Sequence, residues 1–97
     1  MFQATPEQIK EWKKKHGDVF RIVVEDKACY LRKPDRKVLS FAAAAGKSDP
    51  MKVGEAILKN CWLDGDLEIQ NEDSYFLGAS GKLDQMVEVK EAELEKL

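Results

Sequence analysis

The chain has 97 residues, of which 43% are hydrophobic and 35% charged, and its formal net charge is −2. This length accommodates one small domain, and the composition excludes a disordered or low-complexity chain. No apolar run approaches the ~18 residues of a membrane span, no secretory signal opens the chain, and two cysteines are too few for a disulfide scaffold. We therefore expect one cytoplasmic domain over residues 1–97, with reduced thiols.

A first helix is predicted from Thr5 to about His16. Thr5 is a favourable N-cap, Pro6 suits the first helical position, and Gln8 stands where a capping box requires a glutamine or glutamate. Gly17 fits the position that follows the last turn.

A β-hairpin is predicted from two segments of alternating hydrophobicity, Asp18–Glu25 and Ala28–Lys33, with Asp26-Lys27 as the turn. Phe20, Ile22 and Val24 share one face of the first strand. An isolated hairpin is marginal in water, so helices must cover one face. Trp62–Asp66 is interpreted as a turn, and Leu67–Ile69 is too short to assign to an extended segment or a helical turn.

Two helices follow the hairpin. Asp35 caps the second helix, which ends at Gly46, and Asp49-Pro50 begins the third helix, which ends near Cys61. Their predicted apolar faces are Val38, Leu39, Ala42 and Ala45 on the second helix, and Val53, Ile57, Leu58 and Cys61 on the third.

A long last helix is predicted from about Asn71 to Leu97. Its apolar residues keep a roughly helical spacing, although Gly78 and Gly81 each weaken it by about 1 kcal/mol relative to alanine. Beyond Glu88 the apolar residues become sparse, so this end either frays or presents a stripe to a partner. The predicted fold class is α+β, with an N-terminal helix, one β-hairpin, and then three helices including the long C-terminal helix.

The near-zero net charge conceals two halves of opposite sign. Residues 1–48 carry 11 basic and 6 acidic side chains, a net charge of +5, whereas residues 49–97 carry 5 basic and 12 acidic side chains, a net charge of −7. Such halves either pair within one monomer or attract each other between copies. A homo-oligomer is therefore one expectation.

Catalytic and metal-binding patterns are absent from the sequence. Cys29, Cys61 and His16 are the only soft metal ligands and lack the spacing of a zinc site. Gly46-Lys47-Ser48 ends like a P-loop, but Phe41 stands where the first glycine belongs. Asp64, Asp66 and Glu68 alternate like the start of a calcium loop, but Ile69 and Tyr75 stand where the loop requires glycine and glutamate. We expect no enzymatic activity, no metal and no cofactor.

The basic first half leaves one alternative open. If the first helix lies near the end of the hairpin, seven cations come close to two aromatic residues. Such a combination resembles a surface that binds single-stranded nucleic acid. The alternative function is therefore a nucleic-acid-binding accessory protein that uses this basic half. The cations are Lys13, Lys14, Lys15, Arg32, Lys33, Arg36 and Lys37, and the aromatic residues are Trp12 and Tyr30.

The order of short motifs resembles the small tail assembly chaperones of long-tailed phages and prophages. A hairpin ends in Leu31-Arg32-Lys33-Pro34, Asp49-Pro50 begins a helix, and Asp73 precedes the aromatic and aliphatic run Tyr75-Phe76-Leu77. The resemblance covers about residues 18–90. It implies a non-enzymatic protein in a bacterial host cell, which binds the tape-measure protein, keeps its long helices soluble, and recruits tail-tube subunits.

No binding residue of that family transfers to this chain, and two contact surfaces are predicted from its own residues. One is the exposed face and end of the hairpin. The other is a stripe along the last helix, where Leu94→Asp is expected to leave the fold intact and reduce association. The predicted partner-binding residues are Tyr30, Arg32 and Lys33 on the hairpin, and Leu83, Val87, Leu94 and Leu97 on the stripe.

Overall fold

The computed structural model describes all 97 residues as helices packed around a three-stranded antiparallel sheet. None of its helices combines the length and the apolar character needed to cross a membrane. In chain order the elements are α1 (Pro6–His16), β1 (Val19–Val24), β2 (Lys27–Arg32), α2 (Arg36–Ala45), α3 (Met51–Cys61), β3 (Trp62–Gly65), α4 (Glu68–Asn71), α5 (Asp73–Ser80) and a 3₁₀ turn (Leu83–Met86).

The predicted start of α1 is confirmed. The Gln8 backbone N–H donates to Thr5 Oγ1 at 3.2 Å, and the Thr5 backbone N–H donates to Gln8 Oε1 at 2.9 Å. The two bonds satisfy donors that the first helical turn would otherwise leave without partners.

The hairpin is confirmed with its turn one residue earlier than expected. Val24 pairs with Lys27, so the two turn residues are Glu25 and Asp26, and Glu25 adopts a positive φ of 53°. Phe20, Ile22 and Val24 face the core, as their alternation predicts.

The interpretation of Trp62–Asp66 as a turn is wrong, because Trp62–Gly65 forms β3 beside β2. The strand order is β1-β2-β3. Gly65 permits this pairing: its φ is +156°, and a Cβ there would lie 2.6 Å from Cys29 Cα. The Asp64-Gly65 sequence resembles a turn, but its glycine allows β3 to lie close to β2.

The predicted long last helix is wrong in its extent. α5 ends at Ser80, where the Gly81 N–H donates to Leu77 O, and residues 87–97 have no regular structure. Gly78 packs against β1, since a Cβ there would lie 2.9 Å from Val24 Cγ1. Beyond Val87 too few apolar side chains meet the core to hold a helix, and a segment of about ten residues is marginal alone.

One core lies between the sheet and the helices α2 to α5. Its largest fully buried side chains are Leu31, Leu58, Ile69, Cys29 and Cys61. The predicted apolar faces of α2 and α3 are confirmed in the main, because Val38, Ala42, Ile57, Leu58 and Cys61 are buried. Val53 departs from the prediction, with 36% of its surface exposed.

The opposite face of the sheet is covered by the N-terminal segment and α1. The Tyr30 ring contacts Phe2 with ring centroids 6.0 Å apart and Trp12 with centroids 5.6 Å apart. The Ala4 backbone N–H donates to the Tyr30 hydroxyl at 3.3 Å. The sheet therefore has a helical layer on each face.

Asp66 ties the N-terminal segment to the sheet. The Phe2 and Ala28 backbone N–H groups each donate to Asp66 Oδ2 at 2.9 Å. These two bonds, Phe2 first, stabilise the carboxylate and hold the pKa of Asp66 below its ordinary value of 3.8.

Asp66→Asn is expected to weaken the dependence of thermal stability on pH in the acidic range. Because the folded-state pKa is depressed, the contribution of Asp66 is complete above about 3.8 and is lost as the pH falls through the lower folded value. Thermal midpoints measured from neutral to strongly acidic pH should differ most between wild type and variant at neutral pH and converge in acid. Curves that stay parallel would contradict the assignment.

Candidate interaction surface

Two grooves run along α3, one on each side. α3 lies beside α2 and also contacts α5, and the side chains between each pair of helices leave a furrow open to solvent. Large apolar side chains line both furrows and remain about half exposed: Phe41 at 58%, Leu77 at 53% and Met51 at 50%. We call these furrows the α3–α5 groove and the α2–α3 groove.

The α3–α5 groove has an apolar floor and an acidic rim. Its volume is about 410 Å³. Met51, Phe76 and Leu77 form the floor, and Asp73 and Glu55 stand at the rim, where Glu55 is paired with Lys59 and Asp73 has no ion pair. Such a groove suits an apolar helical stripe flanked by lysine or arginine.

Close packing and one polar contact fix the walls of this groove. Gly54 brings α3 against α5, since a Cβ there would lie 3.1 Å from Ser80 Cβ. The Tyr75 hydroxyl of α5 donates to Asp26 Oδ1 in the hairpin turn at 2.7 Å. That bond raises the pKa of Tyr75 to about 12 and lowers the pKa of Asp26.

The α2–α3 groove has two lysines and one glutamate, Glu55, among its lining residues. Phe41, Ala45 and Ala56 form its apolar surface, with a volume of about 320 Å³. Lys52 and Lys59 line it, and Lys59 Nζ donates to Glu55 Oε1 at 3.0 Å. Arg36 and Lys37 lie on the far side of Phe41.

The predicted hairpin surface is wrong for Tyr30, because the N-terminal segment covers its ring and leaves 4% of the residue exposed. Arg32 and Lys33 are only partly exposed. Arg32 donates to Asn60 O at 3.3 Å and pairs with Asp35 at 3.7 Å. Lys33 Nζ pairs with Asp18 at 4.0 Å and with Glu88 at 3.0 Å.

The predicted stripe on the last helix is divided by the structure. Leu83 is 2% exposed and belongs to the core, and Val87 is half-buried at the edge of α3. Leu94 and Leu97 are fully exposed on the chain that follows. Leu83 and Val87 therefore do not share one helical face with the two terminal leucines.

Two of the seven cations of the nucleic-acid alternative are engaged within the chain. Arg32 and Lys33 both meet carboxylates, which reduces the positive field at the end of the hairpin. Lys13, Lys14 and Lys15 remain exposed in the last turn of α1, where cations meet the negative end of the helix dipole.

Both cysteines are free and fully buried. Burial raises the pKa of the Cys29 thiol to about 12 and also raises the pKa of Cys61. The structure groups no three His, Cys, Asp or Glu residues that could hold a metal ion.

Neither thiol is expected to react with Ellman's reagent at mildly alkaline pH while the protein is folded. The reactive species is the thiolate, and burial suppresses both its formation and its access to reagent. Denaturant should release both thiols. Rapid reaction of either thiol in the native protein would contradict its burial in the core.

Sequence reasoning missed the residues of the two grooves. Phe41, Met51 and Leu77 are apolar positions outside the stripes that face the core. An apolar side chain left over on the outer face of an amphipathic helix was the available signal.

Comparison of the chain with protein-family models, with curated proteins and with solved structures finds no match.

Proposed function

We propose that the protein is a non-enzymatic assembly chaperone, of the kind found with phage and prophage tails, which binds an amphipathic helix in the α3–α5 groove. The groove is the single observation that carries this proposal. Its apolar floor is half exposed and its rim is acidic, so it offers burial to an apolar stripe and attraction to flanking cations.

The motif order supplies the identity of the helix. Tail assembly chaperones act on a tape-measure protein whose long helices need protection from aggregation, and they recruit tail-tube subunits. An apolar groove on a small domain fits the first of these tasks, because a chaperone for helices must present apolar surface before its partner arrives. This role implies the cytoplasm of a bacterial host cell.

Co-expression with the tape-measure protein of the phage or prophage that encodes the chain tests the proposal. We expect the tagged chain to raise the soluble yield of that protein and to purify with it. Met51→Lys combined with Leu77→Lys should weaken the complex by at least about tenfold, since the two lysines place charge in the apolar floor and repel the cations of the partner.

Leu67→Lys is the matched control, because Leu67 is exposed to a similar extent, 58%, and lies outside both grooves. It should bind like the wild type. Equal binding by the groove variant and the control would contradict the assignment of the groove. Absence of co-purification with the wild-type chain would contradict the proposed function.

A further inference from the structure

The C-terminal residues 88–97, which we call the tail, carry apolar side chains with nothing to pack on. Leu94 and Leu97 are fully exposed, and Val89 is 82% exposed. The two leucines are three residues apart, a spacing that places both on one face of a helix. Alanine, lysine and glutamate dominate the remainder, so the tail readily becomes helical when a surface receives it.

The α2–α3 groove matches the tail in apolar character. Phe41 presents 58% of its surface, and the small side chains Ala45 and Ala56 beside it leave room for a leucine. Anchors at i and i+3 entering such a furrow are a recurrent way of binding an amphipathic helix.

The charges match as well. The tail contains four glutamates and two lysines. Lys52 lines the groove and Arg36 and Lys37 lie beyond Phe41, all three without an ion pair of their own. Lys59 is paired with Glu55, which also lines the groove. Of the six ion pairs in the chain, only that between Lys33 and Glu88 joins the basic half to the acidic half. Most charged side chains of the basic half therefore form no ion pair with the acidic half of the same monomer.

The tail does not occupy the groove of its own chain. Ten extended residues span about 35 Å, which is ample for a return to α2. Instead the tail starts at the contact between Glu88 and Lys33, at 3.0 Å, and its leucines lie in solvent.

We infer that the tail of one copy binds the α2–α3 groove of a second copy, with Leu94 and Leu97 against Phe41 and the glutamates facing Arg36, Lys37 and Lys52. This contact joins two different surfaces, so it repeats from copy to copy and builds a ring or an open chain. It uses the α2–α3 groove and not the α3–α5 groove of the proposed partner, and the two grooves share only Glu55 among their lining residues. A segment of ten residues buries a small area, so we expect the association to be weak.

Sedimentation equilibrium of the full chain tests this inference. The mean mass of the wild type should rise with concentration from about 1 µM to 1 mM and fall back when salt screens the charges. Phe41→Glu, which removes the groove, and Leu94→Asp with Leu97→Asp, which removes the anchors, should each remain monomeric. Both changes affect exposed side chains, and circular dichroism should show the wild-type fold.

A mixture of the two variants distinguishes this arrangement from every symmetric dimer. The intact tail of Phe41→Glu should enter the intact groove of the tail variant, giving a complex of one copy of each and nothing larger. Lys37→Glu with Lys52→Glu tests the same groove without touching Phe41 and should weaken association at least tenfold at low salt. A wild type that stays monomeric throughout, variants that associate like it, or a mixture that forms no complex would overturn the inference.

Discussion

Gly65→Ala is expected to lower the free energy of unfolding by about 3 kcal/mol. The new Cβ would lie 2.6 Å from Cys29 Cα and 2.8 Å from Ala28 O, and neither backbone atom can swing away as a flexible side chain would. The φ of +156° adds strain for any residue with a Cβ. The cost falls on the pairing of β3 with β2, so β3 should detach or the sheet should shift.

Gly81→Ala is the matched control for this prediction. Gly81 has ordinary helical angles, and its nearest atoms would lie 3.7 and 3.8 Å from a new Cβ. Alanine there should stabilise the protein by about 0.4–1 kcal/mol, because it restricts the unfolded chain. Urea unfolding of both variants measures the difference. If Gly65→Ala is as stable as the control, β3 does not pair with β2 as described.

Tyr30→Ala is expected to cost about 3–5 kcal/mol, the range for truncating a buried aromatic side chain. Tyr30 is 4% exposed and contacts Phe2, Trp12 and the Arg21 guanidinium, whose carbon lies 6.0 Å from the ring centroid. No residue of α1 is itself buried, and Trp12 is the residue of α1 that packs on the Tyr30 ring, so loss of the ring should loosen the helix.

Tyr30→Phe is the corresponding control. It keeps the ring and loses only the bond from the Ala4 N–H, so it should cost about 0.5–1.5 kcal/mol. Limited trypsin digestion adds a local readout, because a detached α1 exposes its lysines to cleavage. Wild-type stability and wild-type digestion of Tyr30→Ala would mean that Tyr30 lies open on the surface, as the sequence alone suggested.

Elements with local signals were predictable, and those that depend on distant contacts were not. Thr5 and Gln8 define the start of α1 through bonds three residues apart, and alternation defines both hairpin strands. β3 was not predicted, because Asp64-Gly65 is a typical turn sequence. Only the pairing of Gly65 with Cys29 makes this segment a strand.

The last helix was overextended for a related reason. Leu83 and Met86 are three residues apart, a spacing that suits a continuing helix as well as the 3₁₀ turn that inserts both into the core. The packing of Gly78 against Val24 is a tertiary contact, invisible to periodicity. The helical reading of the segment therefore placed Leu83 on a binding stripe instead of in the core.

The candidate site was the least predictable part. Alternation places Tyr30 on the second face of the sheet, but it does not reveal that the N-terminal segment covers that face. The α3–α5 groove depends on which helices become neighbours of α3, and no local pattern encodes that choice. Met51 and Leu77 lie 26 residues apart in the sequence and meet only through the packing of α5 against α3.

Backbone amide NMR of the labelled chain, titrated with a helical peptide from the tape-measure protein, is the most direct measurement of the proposed role. We expect the largest shifts to cluster at Met51, Glu55, Phe76 and Leu77 and to saturate, and we expect Met51→Lys with Leu77→Lys to abolish them. Absence of saturable shifts in the groove, together with salt-sensitive shifts at Lys13–Lys15 on addition of single-stranded nucleic acid, would contradict the proposed role.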